Sequence, residues 1–238
     1  MGGATLGGAK SFVASLRLIS TSYALRCDAK FADDTVLDID NRIRNSGFFE
    51  LGEFLPSPFV KGIQPNYLDQ PNGDSVPVVN TLSIQNLSLQ IENCRHIPRE
   101  EFDELSEERK LKRDDVLLTV DGGVSIGKTL LFDRDDDFTL DSHVVALRPT
   151  GISPLALVYL LASPLGQVQF RRAESGASGQ TTVTEDDVRR FVFPRSILKT
   201  IDHVAKKIEK ERNQIAKQRM ELASREASLW QRLEKFVA

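Results

Sequence analysis

The eight residues GGVSIGKT, from Gly122 to Thr129, match a motif that could bind phosphate. The pattern G-x-x-x-x-G-K-[ST] belongs to loops in which backbone N–H groups and a lysine hold the phosphates of a nucleotide. Such a loop lies between a strand and a long helix whose N-terminus faces the phosphates.

The residues on either side of the motif favour a different structure. DDVLLTV (114–120) reads as a strand, as the motif requires, but two leucines, a phenylalanine and an acidic turn follow Thr129. These residues predict a second strand instead of a helix, and three consecutive aspartates would repel a triphosphate. The sequence therefore predicts a glycine-rich hairpin that joins two strands, with Lys128 on its rim, and no nucleotide cofactor on this chain.

Other patterns that carry catalysis or bind metals are not found in the sequence. Cys27 and Cys94 are far apart and lack metal-ligand spacing, and His96, His143 and His203 lie in three separate segments. There is no HExxH, no Cys-x-x-Cys and no nucleophile-elbow sequence. We therefore expect no catalytic residue and no metal site, and we interpret the cysteines as reduced thiols of a cytoplasmic protein.

Length and charge narrow the possible functions further. The 238 residues, 40% of them hydrophobic, allow one sizeable core with an appendage. No apolar run approaches the roughly 20 residues that cross a bilayer, so no membrane association is expected. Residues 196–238 hold ten Lys or Arg against six Asp or Glu, whereas residues 1–195 hold twenty-one against twenty-eight. A nucleic-acid surface on the first part would therefore have to be a local patch.

The pattern of apolar and turn residues predicts a mixed α/β domain, of α+β type, over residues 1–195. Its clearest strands are VPVVNT (76–81), DDVLLTV and SHVVALRP (142–149). Residues 46–72, with four prolines and three glycines, read as a packed but irregular segment. The Gly- and Ala-rich residues 1–19 are expected to be loosely ordered.

Two helices are expected in the middle of this domain. The polar stretch after Pro98 has acids in its first turn and bases at its end, which suits a surface helix because it complements the helix dipole. A second helix begins at Ser153 and Pro154, with the serine as cap and the proline in the first turn. Its pattern continues to about Arg172.

The last part of the domain is expected to form a loop, a short helix and a closing apolar segment. The loop is SGASGQ (175–180). Thr184 caps the short helix, with Asp187 three residues later in a capping-box arrangement. FVFP (191–194) then ends the globular part.

From residue 196 to residue 238 the pattern changes to a heptad without Pro or Gly, which predicts one long helix. At 1.5 Å per residue this helix would be on the order of 60 Å long. An apolar stripe of that length needs another helix to cover it, and a single stripe on a single helix indicates a partner in another chain. The predicted coiled-coil residues are Ile197, Ile201, Val204, Ile208, Ile215, Leu222, Leu229, Leu233 and Phe236.

The order of these segments resembles one target recognition domain, with its following helix, from the specificity subunits of Type I restriction-modification systems. In that family a Gly-Asp phrase precedes a strand and a T-x-x-G-x-x-G hairpin. Here Asp114-Asp115 stands in that place, followed by Thr119, Gly122 or Gly123, and Gly127.

Two further phrases extend the resemblance to about residues 20–238. The family's G-S-x-Q loop, before a short helix and an apolar-Pro strand, is similar to Gly176–Gln180 and the residues up to Pro194. LRCDAKF (25–31) is similar to the Arg-x-Asp-Ala-x-Tyr phrase near the start of many such domains, with Phe31 as the aromatic residue.

The resemblance implies a non-catalytic subunit that reads double-stranded DNA. Family members usually carry two recognition domains and two helices, so this chain looks like a half-sized subunit. Two copies would associate through antiparallel helices and read a bipartite, palindromic site. The implied partners are DNA methyltransferase (modification) subunits, which bind S-adenosylmethionine, and a motor-nuclease (restriction) subunit, which uses ATP.

The predicted DNA contacts lie in three loops rich in amides, hydroxyls and bases, because amides can bond adenine and bases can pair with guanine or phosphate. Each loop also has a structural explanation: a Pro/aromatic packing loop, a simple strand connection, and arginines that complement a helix dipole. The predicted residues are Lys61, Gln64, Asn66 and Tyr67 in the first loop, Ser125 and Lys128 in the hairpin, and Arg171, Arg172, Ser178, Gln180 and Thr181 in the third.

A second class of function remains open from the sequence. A globular head on a dimerising coiled coil could act as a scaffold that binds other proteins and no DNA. The acidic balance of residues 1–195 favours this alternative. Salt dependence separates the two, since phosphate contacts make affinity fall steeply with salt.

Overall fold

The structure is a computed structural model that describes residues 5–6, 9–10, 42–45, 47–85, 87–174 and 181–237. Several predicted features lie outside these residues, namely the LRCDAKF phrase with Cys27, the loop residues Ser178 and Gln180, and most of residues 1–19. Within the described residues the mixed α/β fold class and the long C-terminal helix are confirmed.

Short strands and helices form the described fold. The strands are β1 Thr5–Leu6, β2 Ala9–Lys10, β3 Phe48–Glu50, β4 Val60–Lys61, β5 Ser75–Val79, β6 Ile84–Gln85, β7 Ser88–Leu89, β8 Arg95–Pro98, β9 Val116–Thr119, β10 Thr129–Leu131, β11 Thr139–Leu140, β12 Val144–Leu147 and β13 Val192–Pro194. The α-helices are α1 Arg99–Asp103, α2 Pro154–Ala162, α3 Pro164–Ala173, α4 Glu185–Arg189 and α5 Ile201–Val237.

A four-stranded antiparallel sheet, in the order β10-β9-β12-β4, is the centre of the domain. Every residue of β9 and β12 is buried, because both faces of the sheet are covered. Val116 and Leu118 pack on one face with the helices α2 and α3, whereas Leu117 and Val144 pack on the other with Phe132. This two-sided burial explains why these strands read as continuous apolar runs.

A three-stranded sheet, in the order β11-β5-β8, packs beside the central sheet. Its strand β5 confirms the predicted VPVVNT strand, and Val76, Val78 and Val79 are fully buried. Nearby Cys94 is a free, buried cysteine, and burial raises the pKa of its thiol to about 11. The thiol is therefore protonated at neutral pH.

The Asp114-Asp115 phrase starts β9 with two distinct structural roles. Asp115 is only 2% exposed and accepts Arg148 Nε at 2.7 Å and Nη2 at 3.0 Å. It also accepts the backbone N–H of Lys112 at 3.0 Å. Asp114 has a φ of 72°, in the left-handed region that glycine adopts without strain. The second aspartate thus anchors the strand, and the first occupies a position suited to glycine.

Asp114→Gly is expected to stabilise the domain by about 0.5 kcal/mol, because the left-handed conformation costs an L-residue more than glycine loses in backbone entropy. Asp114→Ala is the matched change. It is expected to destabilise by about 1 kcal/mol, since alanine keeps the Cβ and lacks the short polar side chain that eases this conformation. Urea denaturation of both variants gives the order of their unfolding free energies. An Ala variant as stable as the Gly variant would contradict the prediction.

The predicted helix from Ser153 to about Arg172 is in fact two helices. Ser153 caps α2 as expected, and its Oγ accepts the N–H of Ala156 at 3.1 Å. The helix ends at Ser163, whose extended backbone (ψ 156°) precedes Pro164 and caps α3. The prediction of one helix was wrong because Pro164 disfavours a helical conformation at the residue before it.

The helix predicted after Pro98 is also shorter than its charge pattern indicated. It ends at Asp103, after five residues. Phe102 is buried on this short helix, and Leu111 is buried further on, where its N–H donates to Phe138 O at 2.9 Å. The chain therefore leaves the helix to bury Leu111. In contrast, α4 has the predicted capping box of Thr184 and Asp187.

The first turns of α5 pack on the domain and not on another chain. Ile201 and Ala205 belong to the main core, and Ile197 packs against it from the preceding 3-10 helix, Arg195–Lys199. Polar contacts to α2 reinforce this packing: Ser153 Oγ lies 2.5 Å from Asp202 Oδ1, and Tyr159 donates to Glu209 Oε2 at 2.6 Å. Ile197 and Ile201, predicted as coiled-coil residues, are thus part of the domain core.

Beyond this anchored part the apolar stripe of α5 is exposed. Ile208 is 38% exposed, and the exposure of the later stripe residues is higher. These residues are Ile215, Leu222, Leu229, Leu233 and Phe236. The prediction that the whole stripe needs another helix was therefore too broad, since the described residues of the domain cover Ile197 and Ile201. Val204, at 40% exposure, and the stripe residues from Ile208 onward are uncovered.

Candidate nucleic-acid interface

Residues from several loops of the domain lie next to one another, and we call this group the loop cluster. A continuous series of contacts joins its parts. Gly62 N–H donates to Val144 O at 3.3 Å, and Ile63 N–H donates to Leu140 O at 2.8 Å, so the first loop crosses the ends of β11 and β12. The loop cluster consists of residues 61–67, 80–82, 95, 121–128, 141–143 and 181–182.

The first loop presents three of the four polar residues predicted for it. Lys61, Gln64 and Asn66 are exposed, with Lys61 on the edge strand β4 opposite Val145. The backbone of Asn66 is held by Glu101, whose Oε1 accepts its N–H at 3.4 Å. The amide side chains of Gln64 and Asn66 and the ammonium group of Lys61 are therefore accessible on a backbone fixed by the domain.

Tyr67, the fourth predicted residue, is half-buried and packs beneath an arginine. The guanidinium carbon of Arg95 lies 3.4 Å from the centroid of the Tyr67 ring. Burial raises the pKa of the Tyr67 hydroxyl, the negative charge of Asp141 raises it further, and Arg95 opposes both effects. Asp141 is itself buried, and burial raises the pKa of its carboxyl, whereas the N–H of His143 opposes that shift.

A tight turn over residues 80–83 forms the second part of the loop cluster. The buried Asn80 accepts the N–H groups of Leu82 at 2.8 Å and Ser83 at 3.1 Å through its side-chain oxygen. Its amide nitrogen donates to Asn93 O at 2.9 Å. This bonding fixes the turn, so that Thr81 and the exposed Leu82 have defined positions.

The opening motif forms the hairpin that its flanking residues predicted. β9 and β10 pair antiparallel, and Gly122 and Gly127 have φ values of 102° and 81°, which close the turn. A strand follows Lys128, so the hairpin lacks the long helix that a phosphate loop requires. A Cβ on Gly127 would lie 2.8 Å from Phe170 Cδ2, which shows how closely α3 packs on the hairpin.

The two hairpin residues predicted to contact DNA are placed differently. Lys128 is half-buried, and its Nζ donates to Thr81 O at 3.3 Å, which ties the hairpin to the turn. Ser125 is buried at 8% exposure, so its hydroxyl is poorly placed for contact with a duplex. Val124, at the tip, is fully exposed instead.

A third contact series joins the hairpin to the loop after α3. Asp121 Oδ2 lies 3.3 Å from His143 Nδ1, and Asp121 forms a β-bridge with Thr182. Thr181 is therefore next to the hairpin. Arg171, which is exposed, and Arg172 follow Phe170 at the end of α3, close to the same hairpin.

Arg95, Asp121, Asp141 and His143 also belong to the loop cluster, although the sequence patterns did not predict them. Their membership depends on strand pairing, such as that of Arg95 with Val78, which a local pattern does not reveal. Among the described residues, no group of three or more His, Cys, Asp or Glu could hold a metal ion.

The surface around residues 133–137 lies outside the loop cluster and is rich in aspartate. Its aspartates pair with arginines of neighbouring segments, which explains why so many acids tolerate one another there. The pairs are Arg113–Asp135 at 2.6 Å, Arg99–Asp137 at 2.5 Å and Arg134–Asp136. Three of the four aspartates of this segment therefore lie beside a guanidinium group, and one of these groups, that of Arg134, belongs to the same segment.

Comparison with known proteins gives structural neighbours only. No protein-family model and no curated protein matches the chain. A structure from work on the assembly and conformational transition of the type I R-M system has a TM-score of 0.46 at 18% identity, over 69% of this chain and 38% of that chain. The HsdS subunit from Thermoanaerobacter tengcongensis has a TM-score of 0.46 at 16% identity, over 82% and 46%.

A third neighbour is the Type I restriction-modification S subunit from M. genitalium, with a TM-score of 0.44 at 14% identity, over 68% of this chain and 40% of that chain. These structural neighbours come from Type I restriction-modification systems, the class that the sequence motifs resemble. The chain spans less than half the length of each of them. No helix among the described residues is long and apolar enough to cross a membrane.

Proposed function

We propose that this chain recognises a specific sequence in double-stranded DNA through the loop cluster, as a specificity subunit of a Type I restriction-modification system. The observation that carries the proposal is that exposed amides and bases from the first loop and from the strand β8 lie on one hydrogen-bonded framework. Lys61, Gln64, Asn66 and Arg95 supply the donors and acceptors that read base edges or bind phosphate.

The framework beneath these side chains supports recognition because it fixes their backbone positions. Gly62, Ile63 and Asn66 are held by hydrogen bonds to the domain, and Asn80 holds the neighbouring turn. A reading surface gains specificity when its donors are ordered before the duplex arrives, since less conformational entropy is lost on binding. The loop cluster holds three bases, Lys61, Arg95 and Lys128, against two acids, Asp121 and Asp141, so it carries a small positive surplus on a chain whose net charge is −3.

The partners follow from the motif resemblance and belong to the same proposal. DNA methyltransferase (modification) subunits would bind S-adenosylmethionine, and a motor-nuclease (restriction) subunit would use ATP. A second copy of the chain would pair along the exposed stripe of α5, from Ile208 to Phe236, and place two loop clusters on a bipartite site.

The test is a selection from a randomised duplex library with the full chain, at moderate salt, with and without the methyltransferase subunit. The wild-type chain is expected to enrich a palindromic site with a fixed spacer. A Gln64→Ala, Asn66→Ala double variant is expected to bind that site at least about 10-fold more weakly, because bidentate amide contacts to a base contribute about 1–3 kcal/mol each.

Asn213→Ala is the control, since it removes an exposed amide from α5 and leaves the loop cluster intact. It should bind like wild type. No enrichment by a folded wild-type chain in either format would overturn the proposal and favour the protein-binding scaffold. A single undivided site would retain DNA recognition and contradict the symmetric dimer.

A further inference from the structure

Arg95 differs from the ion-paired arginines of the domain in what holds its side chain. Arginine–carboxylate pairs are frequent in this structure, at Arg99–Asp137, Arg113–Asp135, Arg148–Asp115, Arg189–Glu185 and Arg195–Glu53. Arg95 is exposed, and in the part of the chain that the structure describes no carboxylate lies within 4.0 Å of its guanidinium group. Its partner is the ring of Tyr67.

The contact with Tyr67 is closer than the other arginine–ring contacts. The guanidinium carbon lies 3.4 Å from the Tyr67 centroid, whereas Arg99, Arg134 and Arg189 lie 5.5, 5.6 and 5.4 Å from their rings. At 3.4 Å the planar group rests on the face of the ring. Stacking occupies that face and leaves the edge of the guanidinium, which carries its N–H donors, open to a ligand.

The domain fixes both members of this stack. Arg95 lies in β8, where its backbone pairs with Val78. The next residue, His96, accepts the N–H of Leu68 at 2.8 Å, which holds the Tyr67 backbone beside the same strand. The buried Asp141 adds a negative charge that acts on both Tyr67 and Arg95. The arginine is thus oriented before any ligand binds.

A guanidinium group that is held in place with its N–H donors accessible matches the acceptors of guanine better than those of the other bases. Guanine presents two acceptors, O6 and N7, in the major groove, at the spacing of the two donors of an arginine fork. A phosphate would accept the same donors but would not require a fixed orientation. We infer that Arg95 is a specificity-determining residue that reads a guanine in each recognised half-site, with Tyr67 as the residue that positions it. This inference rests on the proposed DNA-recognition function.

The experiment repeats the duplex selection with Arg95→Ala, Arg95→Lys, Tyr67→Ala and Tyr67→Phe. Arg95→Ala is expected to lose the preference for guanine at one position of each half-site, with about 10- to 100-fold less discrimination against the other bases there. Arg95→Lys is expected to lose most of the preference for guanine as well, because an ammonium group lacks the paired N–H donors of a guanidinium group. Tyr67→Ala should resemble Arg95→Ala, whereas Tyr67→Phe should keep the preference.

Arg109→Ala is the control, because Arg109 is an exposed arginine that follows the acidic residues 100–108 and lies outside the loop cluster. If wild type enriches a site and Arg95→Ala keeps every base preference, the inference fails and the proposed function stands. Equal weakening on all sequences, with a smaller salt slope, would make Arg95 a phosphate contact and also overturn the inference. Failure of wild type to enrich any site would instead remove the proposed function itself.

Discussion

Replacing Ile215 by Asp is expected to leave the domain folded and to weaken self-association at least about 100-fold, because pairing would bury an unpaired charge on each chain. Ile215 lies in the middle of the exposed stripe and is 49% exposed, although it is a large apolar residue on a regular helix. Sedimentation equilibrium over a concentration series measures the change, and circular dichroism verifies that the helix persists.

Two further variants separate the two parts of the stripe. Ala216→Asp places the same charge on the adjacent, off-stripe residue, so its self-association should match that of wild type. Ile201→Asp should destabilise the domain itself, because Ile201 is 5% exposed and lies in the main core. Equal dimer affinity for Ile215→Asp and Ala216→Asp would contradict pairing through this stripe.

Gly62→Ala is expected to destabilise the fold by about 2–4 kcal/mol, through overpacking and the loss of backbone hydrogen bonds. A Cβ at this position would lie 1.8 Å from Asp141 O and 2.7 Å from Leu140 O, and both atoms belong to the backbone. No side chain can move aside, so the backbone around Gly62 would have to separate from the ends of β11 and β12. Urea denaturation monitored by far-UV circular dichroism gives the change in unfolding free energy.

Gly73→Ala is the matched change for this prediction. Nothing lies within 4 Å of a Cβ on Gly73, so its stability should stay within about 0.5 kcal/mol of wild type. If Gly62→Ala unfolds at the same urea concentration as Gly73→Ala, the close crossing at Asp141 does not constrain the fold. The loop cluster would then lack the rigidity on which the proposed function depends.

The strands and caps of the fold were predictable because their signals are local. VPVVNT, DDVLLTV and SHVVALRP formed strands, since two-sided burial leaves a continuous apolar run in the sequence. The hairpin over residues 120–128 followed from its glycines and from the strand-like residues after it. The capping box of α4 required only the side chains of Thr184 and Asp187.

The features that failed or were missed depend on contacts between distant segments. The helix after Pro98 ended early because the chain buries Leu111 against Phe138, which no local charge pattern indicates. The core role of Ile201 was hidden because a heptad does not distinguish packing on α2 from packing on another chain. The stack of Arg95 on Tyr67 joins residues twenty-eight positions apart, so only the paired strands reveal it.

The contacts of Tyr159 with Glu209, and of Glu209 with Arg212, attach α5 to α2 near the point where the helix leaves the domain. About 37 Å of helix extends beyond Arg212, at 1.5 Å per residue. A tilt of about 5° at this attachment would displace the C-terminal end of α5 by about 3 Å, close to the rise of one base pair. The angle of the far end of α5 therefore depends on the few contacts of its first turns, namely the core packing of Ile201 and Ala205 and the polar contacts of Asp202, Glu209 and Arg212.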